Sequence, residues 1–319
     1  MFRGSCNGLL LVLTPLKTLW LWNPSTRKRN MLPLFPGCCK YCLNLGFDYD
    51  SSNNDYKVVH IQSCGCIYYH QQYCGLANCI RSKRKACSYK PQCYKDQIWV
   101  FSLASNTWRK LPFPPSIPIE TIREKTLWNA ALVDGALHWL TSYLSRYEGN
   151  KLARIVTFDI STEKLVVDLI PAFQFPDHVE VEDSHLSLEV LQGRLVFCHR
   201  ISEHHIGLSY AAKHGQWTKL YNLDLSSRLT WDKDFKIFDN SNDGNKILLQ
   251  FSEGFLGSRN FIYYGYFYWY DIKQRSLELV EIGPVPLKKC YTTSNFDKSS
   301  FCWETLVSPF PQSSDRVIM

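Results

Sequence analysis

Residues 20–33 read WLWNPSTRKRNMLP. An alternating aromatic run stops at Asn23, a polar stretch follows, and apolar residues resume at Met31 and Leu32. Alternation sends successive side chains to opposite faces of a strand, so Trp20 and Trp22 share one face. An Asn at the head of a turn can accept a hydrogen bond from its own backbone two residues on, which reverses the chain without help from another element. The segment therefore predicts strand, turn, strand.

The same grammar returns four more times, in WVFSLASNTW at Ser102, VTFDISTEKL at Asp159, LSYAAKHGQW at Ala211 and YWYDIKQRSL at Asp271. Between these copies lie five apolar hairpins with small or polar tips. They are SCNGLLLVL (5–13), GFDYDSSNNDYKVVHI (46–61), ALVDGALHWL (131–140), LEVLQGRLVF (188–197) and FDNSNDGNKILLQF (238–251). Asp134-Gly135, Gln192-Gly193 and Asp243-Gly244 supply tight-turn dipeptides between alternating runs. One hairpin cannot bury its apolar face alone, so two hairpins make a four-stranded unit and the units stack.

The turn anchors follow one another at 79, 57, 52 and 60 residues. Four-stranded units at this spacing predict an all-β fold, a β-propeller of four-stranded blades with five blades counted and a sixth possible. The first spacing is long because of an insertion at 62–97. The first blade shows three strands in the sequence, so FCWETLVS at 301–308 is expected to supply its fourth and close the N-terminal blade.

The 319 residues, 45% hydrophobic and 14% aromatic, describe a globular chain and exclude disordered or fibrous classes. No run reaches the ~18 apolar residues of a membrane helix. GLLLVLTPL (8–16) is broken by Pro15 and reads as a strand, not a signal peptide. No membrane partner is expected, and the expected location is cytoplasmic, nuclear or both. A formal charge of +7 permits acidic partners without calling for nucleic acid. Its densest basic run is RSKRK at 81–85, inside the insertion.

SCNGLL, LWNPSTRK, GFDYDSSNNDYKVV, VDGALHWL, FDISTEK and the terminal WETLVSP resemble, in order, the landmark motifs of the plant F-box-associated β-propeller domain, related to kelch propellers. The resemblance covers about residues 4–309. It implies a non-catalytic substrate-recognition part of an SCF-type ubiquitin ligase, with the propeller holding the protein to be ubiquitinated. The F-box that docks on the ligase adaptor would precede the propeller. This sequence starts at the first propeller motif, so the expectation is a truncated form, ahead of a decayed gene copy or a natural stand-alone propeller, and a single domain over 1–319 with a flexible tail at 310–319. The adaptor is a partner only if an F-box is supplied upstream.

In kelch-like relatives the loop between the second and third strands of a blade helps form the substrate face. By that analogy the insertion is the recognition element, and Tyr68, Tyr69, Tyr73, Arg81, Lys83, Arg84 and Lys85 are the expected partner-binding residues, since Tyr and Arg dominate binding hot spots. A reading of a different class keeps the propeller but gives its basic loops an anionic or nucleic-acid partner, with steep salt dependence as its mark.

No cofactor, metal or catalytic residue is expected. Nine of the 13 cysteines lie between 38 and 93, but Cys64, Cys66, Cys74, Cys79, Cys87 and Cys93 form no C-x-x-C pair of the kind zinc sites use, and they read as a reduced loop. His204 and His205 are adjacent in a strand pattern and point to opposite faces. Asp48, Asp50 and Asp55 lie in turn-rich sequence, where carboxylates commonly cap the backbone. Trp20, Trp22, Trp108, Trp139, Trp217 and Trp269 fall at strand positions and are expected to pack between blades.

Overall fold

The computed structural model describes residues 2–14, 16, 18–36, 44–62, 97–114, 130–144, 151–169, 186–202, 204–211, 217–225, 235–241, 243–256, 261–280 and 285–287. Regular structure among them is entirely β. The first sheet contains β1 (Phe2–Cys6), β2 (Leu9–Leu13), β3 (Leu19–Trp22) and β4 (Arg29–Met31). The second contains β5 (Asn44–Asp50), β6 (Asp55–Gln62), β7 (Gln97–Ser102) and β8 (Thr107–Leu111). In the third are β9 (Ala131–Val133), β10 (Ala136–Leu144), β11 (Lys151–Asp159) and β12 (Lys164–Leu169). The fourth has β13 (Leu186–Leu191), β14 (Arg194–Ser202), β15 (His205–Ala211) and β16 (Trp217–Asp224). The fifth has β17 (Phe235–Asn240), β18 (Lys246–Leu256), β19 (Phe261–Asp271) and β20 (Ser276–Leu279), with β21 (Val285–Leu287) added on β19.

In every sheet the first four strands follow one another in space as they do in sequence, and only β21 departs from this by pairing with β19 instead of β20. These are the five four-stranded blades expected from the repeats. The first blade differs in detail: β1 pairs with β2 and completes four strands from the blade's own sequence. The C-terminal stretch 301–308 and the tail at 310–319 lie outside the described residues.

The recurring turns share one geometry. Asn23 Oδ1 accepts from Thr26 N at 3.1 Å, Ser102 Oγ from Ser105 N at 3.2 Å, Asp159 Oδ1 from Thr162 N at 2.7 Å and Asp271 Oδ1 from Gln274 N at 2.8 Å. The common bond thus reaches three residues on, one further than expected; Asp271 Oδ1 also accepts from the residue two on, Lys273 N, at 2.9 Å, and Asp159 Oδ1 accepts from the Ser161 hydroxyl at 2.8 Å. Four residues after each anchor the backbone turns left-handed, at Arg27 (φ 59), Asn106 (φ 52), Glu163 (φ 56) and Arg275 (φ 52). Asp50 heads the same kind of turn between β5 and β6, accepting from Ser52 N and Asn53 N, with Asn54 at φ 50. In the first, third and fourth blades the first hairpin closes through two positive-φ residues, Asn7-Gly8, Asp134-Gly135 and Gln192-Gly193, the pattern of a type I′ turn. In the fifth, Gly244 has a positive φ, and the expected Asp243-Gly244 dipeptide is part of a wider turn between Asn240 and Lys246.

Two compact units divide the chain, one holding β1–β8 and β10–β12, the other β9 and β13–β21. In the first, alternation in β3 buries Leu19 and Leu21 and leaves Trp20 and Trp22 half-buried on the other face. The leucines join Leu9, Leu11, Leu45, Phe47, Val58 and Phe101 in one core between the first and second sheets. Of the six tryptophans expected between blades, Trp139 is fully buried, while Trp20, Trp22, Trp108, Trp217 and Trp269 are half-buried. Trp20 carries Arg29 over its ring, and Trp108 donates Nε1–H to the Pro33 carbonyl at 3.0 Å. Close approach of the second and third sheets needs a glycine at 46, because a Cβ there would meet Leu137 Cδ1 at 2.6 Å and Trp139 Cζ2 at 2.9 Å. In the second unit, Val196, Leu208, Leu223, Ile247, Leu249 and Tyr270 form the core of the fourth and fifth sheets. Tyr270 Oη accepts from Asp224 N at 3.0 Å, a direct bond between those two sheets.

Candidate functional site

The pleat of the second blade sets up the site. Register pairs Asp50 with Asp55, Asp48 with Lys57, and Lys57 with Ser102, so these side chains lie on one face. Leu45, Phe47, Val58 and Phe101 lie on the opposite, apolar face that the first blade covers. The polar face meets the β11–β12 turn of the third blade. There Lys57 Nζ donates to Asp50 Oδ2 at 2.6 Å, to Glu163 Oε1 at 2.8 Å and to the Ile160 carbonyl at 3.1 Å. An ammonium has three N–H donors, and all three are engaged. Glu163 Oε1 also accepts from Arg109 Nη2.

Burial grades this cluster from floor to rim. Side-chain exposure is 0% at Asp50, 6% at Lys57, 15% at Glu163 and 48% at Arg109. Desolvation works against the Asp50 carboxylate, but the hydrogen bonds from Asn53 and Lys57 outweigh it and pull its pKa down to about 2. Glu163 is likewise lowered, burial being outweighed by Arg109 and Lys57, and Lys57 is raised because its two carboxylates outweigh its own desolvation. Asp48 behaves oppositely. Burial raises its pKa, with Tyr49 N and Cys6 Sγ donating to Oδ1 and Oδ2 without a partner. The adjoining Cys6 thiol is pushed up to about 12 by burial and by the Asp48 charge, so it is an unreactive thiol.

Above the cluster opens a cavity of about 400 Å³ lined by Asn53, Asp55, Lys57, Ser102, Ser105, Arg109, Ser161, Thr162 and Glu163. Its walls are the β5–β6, β7–β8 and β11–β12 turns. Asp55 Oδ1 accepts from Ala104 N at 2.8 Å, which ties two of these walls together. The carboxylates of this region were legible as turn residues. The Asp50, Asp55 and Lys57 set could have been found from the period-2 pattern of DYDSSNNDYK alone. Glu163 and Arg109 could not, because they arrive from other hairpins.

Tyr68, Tyr69, Tyr73, Arg81, Lys83, Arg84 and Lys85, and the cysteine-rich stretch around them, lie outside the described residues. The point from which they depart is described: Gln62 pairs with Gln97, so the insertion leaves and rejoins the blade at adjacent backbone positions. In an antiparallel meander, turns one and three lie at one end and turn two at the other. The insertion therefore leaves from the end of the second blade opposite the polar cavity. His204 and His205 follow the β14–β15 bulge; His205 Nδ1 sits 2.9 Å from Ser202 Oγ, and Nε2 sits 3.9 Å from Asp224 Oδ2. That last distance is beyond a hydrogen bond, and His205 is 45% exposed, so the three groups tie a surface hairpin. Among the described residues no three His, Cys, Asp or Glu side chains converge as a metal site would need.

Comparison with known proteins gives a family-model match over residues 2–277 to the F-box associated beta propeller domain. F-box protein At4g22390 of Arabidopsis thaliana is 25% identical over 86% of this chain and 62% of its own length. F-box protein CPR1 of the same plant is 23% identical over 89% of this chain and 64% of its own length. The chain thus spans less than two thirds of these relatives. Among solved structures, the polysaccharide lyase Uly1 superposes with a TM-score of 0.43 at 9% identity, covering 85% of this chain and 69% of that one. The β-propeller domain of the Trilobed protease from Pyrococcus furiosus superposes at 0.37 and 12%, covering 87% and 69%. The fold rests on the five sheets and the family model, not on these superpositions.

Proposed function

Because this chain belongs to the F-box associated β-propeller family, we propose that it is a protein-recognition module, the part of an F-box-type ubiquitin ligase receptor that holds the protein to be modified. The observation that carries this reading is the second blade. Its sheet is regular up to the paired Gln62 and Gln97, and the sequence 63–96 is hung on that rigid end. Binding residues concentrate on segments carried by a folded scaffold, and the sequence 63–96 is rich in Tyr, Arg and Lys. In this reading Tyr68, Tyr69, Tyr73, Arg81, Lys83, Arg84 and Lys85 contact the target. The adaptor contact belongs to an F-box, and this chain joins the ligase only where one is attached. The module works in the cytoplasm or nucleus.

Replacing 63–96 by a two-residue turn tests it. The altered chain is expected to keep its fold and lose the targets that the full chain captures from plant extract; retention of every target would overturn the assignment. A target set lost only with rising salt would favour an anionic or nucleic-acid partner instead.

A further inference from the structure

We propose that the cavity walled by the β5–β6, β7–β8 and β11–β12 turns is a second binding site, taking an uncharged, amide-bearing segment of polypeptide such as a loop presenting Asn or Gln. The proposal rests on the protein-recognition reading and adds a site at the other end of the second blade from the insertion.

Charge excludes several ligand classes. Among the described residues the ionisable lining is two cations, Lys57 and Arg109, and two carboxylates, Asp55 and Glu163, with Asp50 behind Lys57 adding a further negative charge. A phosphate needs an excess of positive donors, and the most buried cation, Lys57, has all three N–H groups engaged. A divalent metal would have to sit beside that same ammonium. Among the described residues no aromatic side chain lines the cavity, so ligands that depend on stacking, such as nucleobases, find no platform there.

Available donors and acceptors then define what fits. Arg109 uses one N–H, on Glu163, and its guanidinium is about half exposed. Glu163 Oε2 and Asp55 Oδ2 accept no hydrogen bond from the described residues, whereas the other oxygen of each carboxylate is engaged. Ser102 and Ser105 add hydroxyls on the facing turn. Unused donors beside unused acceptors, with no excess of positive charge to hold an anion and with Lys57 and Arg109 set beside the carboxylates against a cation, match a carboxamide or a peptide bond, which offers C=O and N–H together. The volume, about 400 Å³, falls within the ~300–1,000 Å³ of ordinary ligand pockets. The walls are pre-formed, because each turn is closed by its own carboxylate or hydroxyl.

The test titrates the ¹⁵N-labelled full chain with N-acetyl-glutamine methylamide. Parallel titrations use N-acetyl-glutamate methylamide, N-acetyl-lysine methylamide and inorganic phosphate, with the backbone amides of Ser105 and Thr162 followed by NMR. Saturable shifts are expected with the glutamine probe and about tenfold weaker binding with each charged probe. Arg109→Ala is expected to weaken the glutamine probe about tenfold, the loss of roughly one charge-assisted hydrogen bond, with Asn53→Ala as a second, milder variant. No saturable shift, a preference for phosphate, or binding indifferent to both variants would overturn the site. Target capture through 63–96 is read separately, so failure here leaves the recognition reading standing.

Discussion

At the scale of single residues, Lys57 decides most. Among the described residues it is the one cation that satisfies two carboxylates from different blades, and Asp50 beneath it is fully shielded from water. Removing one member of such a cluster leaves its partners desolvated and unpaired. Lys57→Met is expected to lower unfolding free energy by about 3 kcal/mol, at the low end of the range for buried pairs because the cavity brings solvent close. Adding Asp50→Asn to Lys57→Met should recover part of that loss, and denaturant midpoints of the three chains check it. His199 offers a pH test. Desolvation, helped by the Lys219 charge, lowers its pKa to about 4, so between about 4 and the ordinary 6.5 the unfolded chain holds the proton and the folded chain does not. Stability therefore falls as pH drops through that window, with a slope of at most ~1.4 kcal/mol per pH unit from one group. Melting curves from pH 7 to 5 should show this fall, and it should flatten in His199→Gln. Asp50 and Glu163, both lowered, lose their contributions only at more acid pH, as it falls from their usual values toward the folded ones, about 2 for Asp50.

At the scale of the element, the repeated turn is the unit to explain. Its left-handed fourth residue is Arg27, Asn106, Glu163 or Arg275, and a non-glycine side chain in that conformation costs about 1 kcal/mol. Arg275→Gly removes that strain at an exposed position. It should stabilise the protein by less than about 1 kcal/mol once the greater freedom of glycine in the unfolded chain is subtracted. Glu163→Gly relieves the same φ but removes the partner of Lys57 and Arg109, so it should destabilise. Chemical denaturation of the two variants should give opposite signs. A shared sign would mean that the ion cluster contributes nothing beyond the turn. Strand, turn and hairpin were legible because they depend on local rules: period 2, a polar anchor and a small tip. The bond three residues on was missed because it depends on the left-handed residue that follows, which Arg or Glu does not advertise.

At the scale of the molecule, the insertion should matter to binding and little to stability. It begins and ends at paired backbone positions, so removing it leaves the β6–β7 pairing in place. Loop-closure entropy grows only with the logarithm of length. Replacement of 63–96 by a two-residue turn should therefore leave the denaturant midpoint unchanged or slightly raised; a large fall would show that the segment is part of the fold.

By itself, the sequence determined most of the strands, the repeat of four-stranded blades and the family, because alternation, turn chemistry and ordered motifs are written in neighbouring residues; the fourth strand of the first blade, β1, came from the structure. It also placed Asp50, Asp55 and Lys57 within one hairpin. Only the tertiary structure decided that the leucines of β3, not its tryptophans, form the core, because alternation names two faces without saying which one is covered. Only it brought Glu163 and Arg109 to Lys57, across 106 residues in the first case. An ion cluster between blades depends on how one sheet lies on the next, and no local pattern records that.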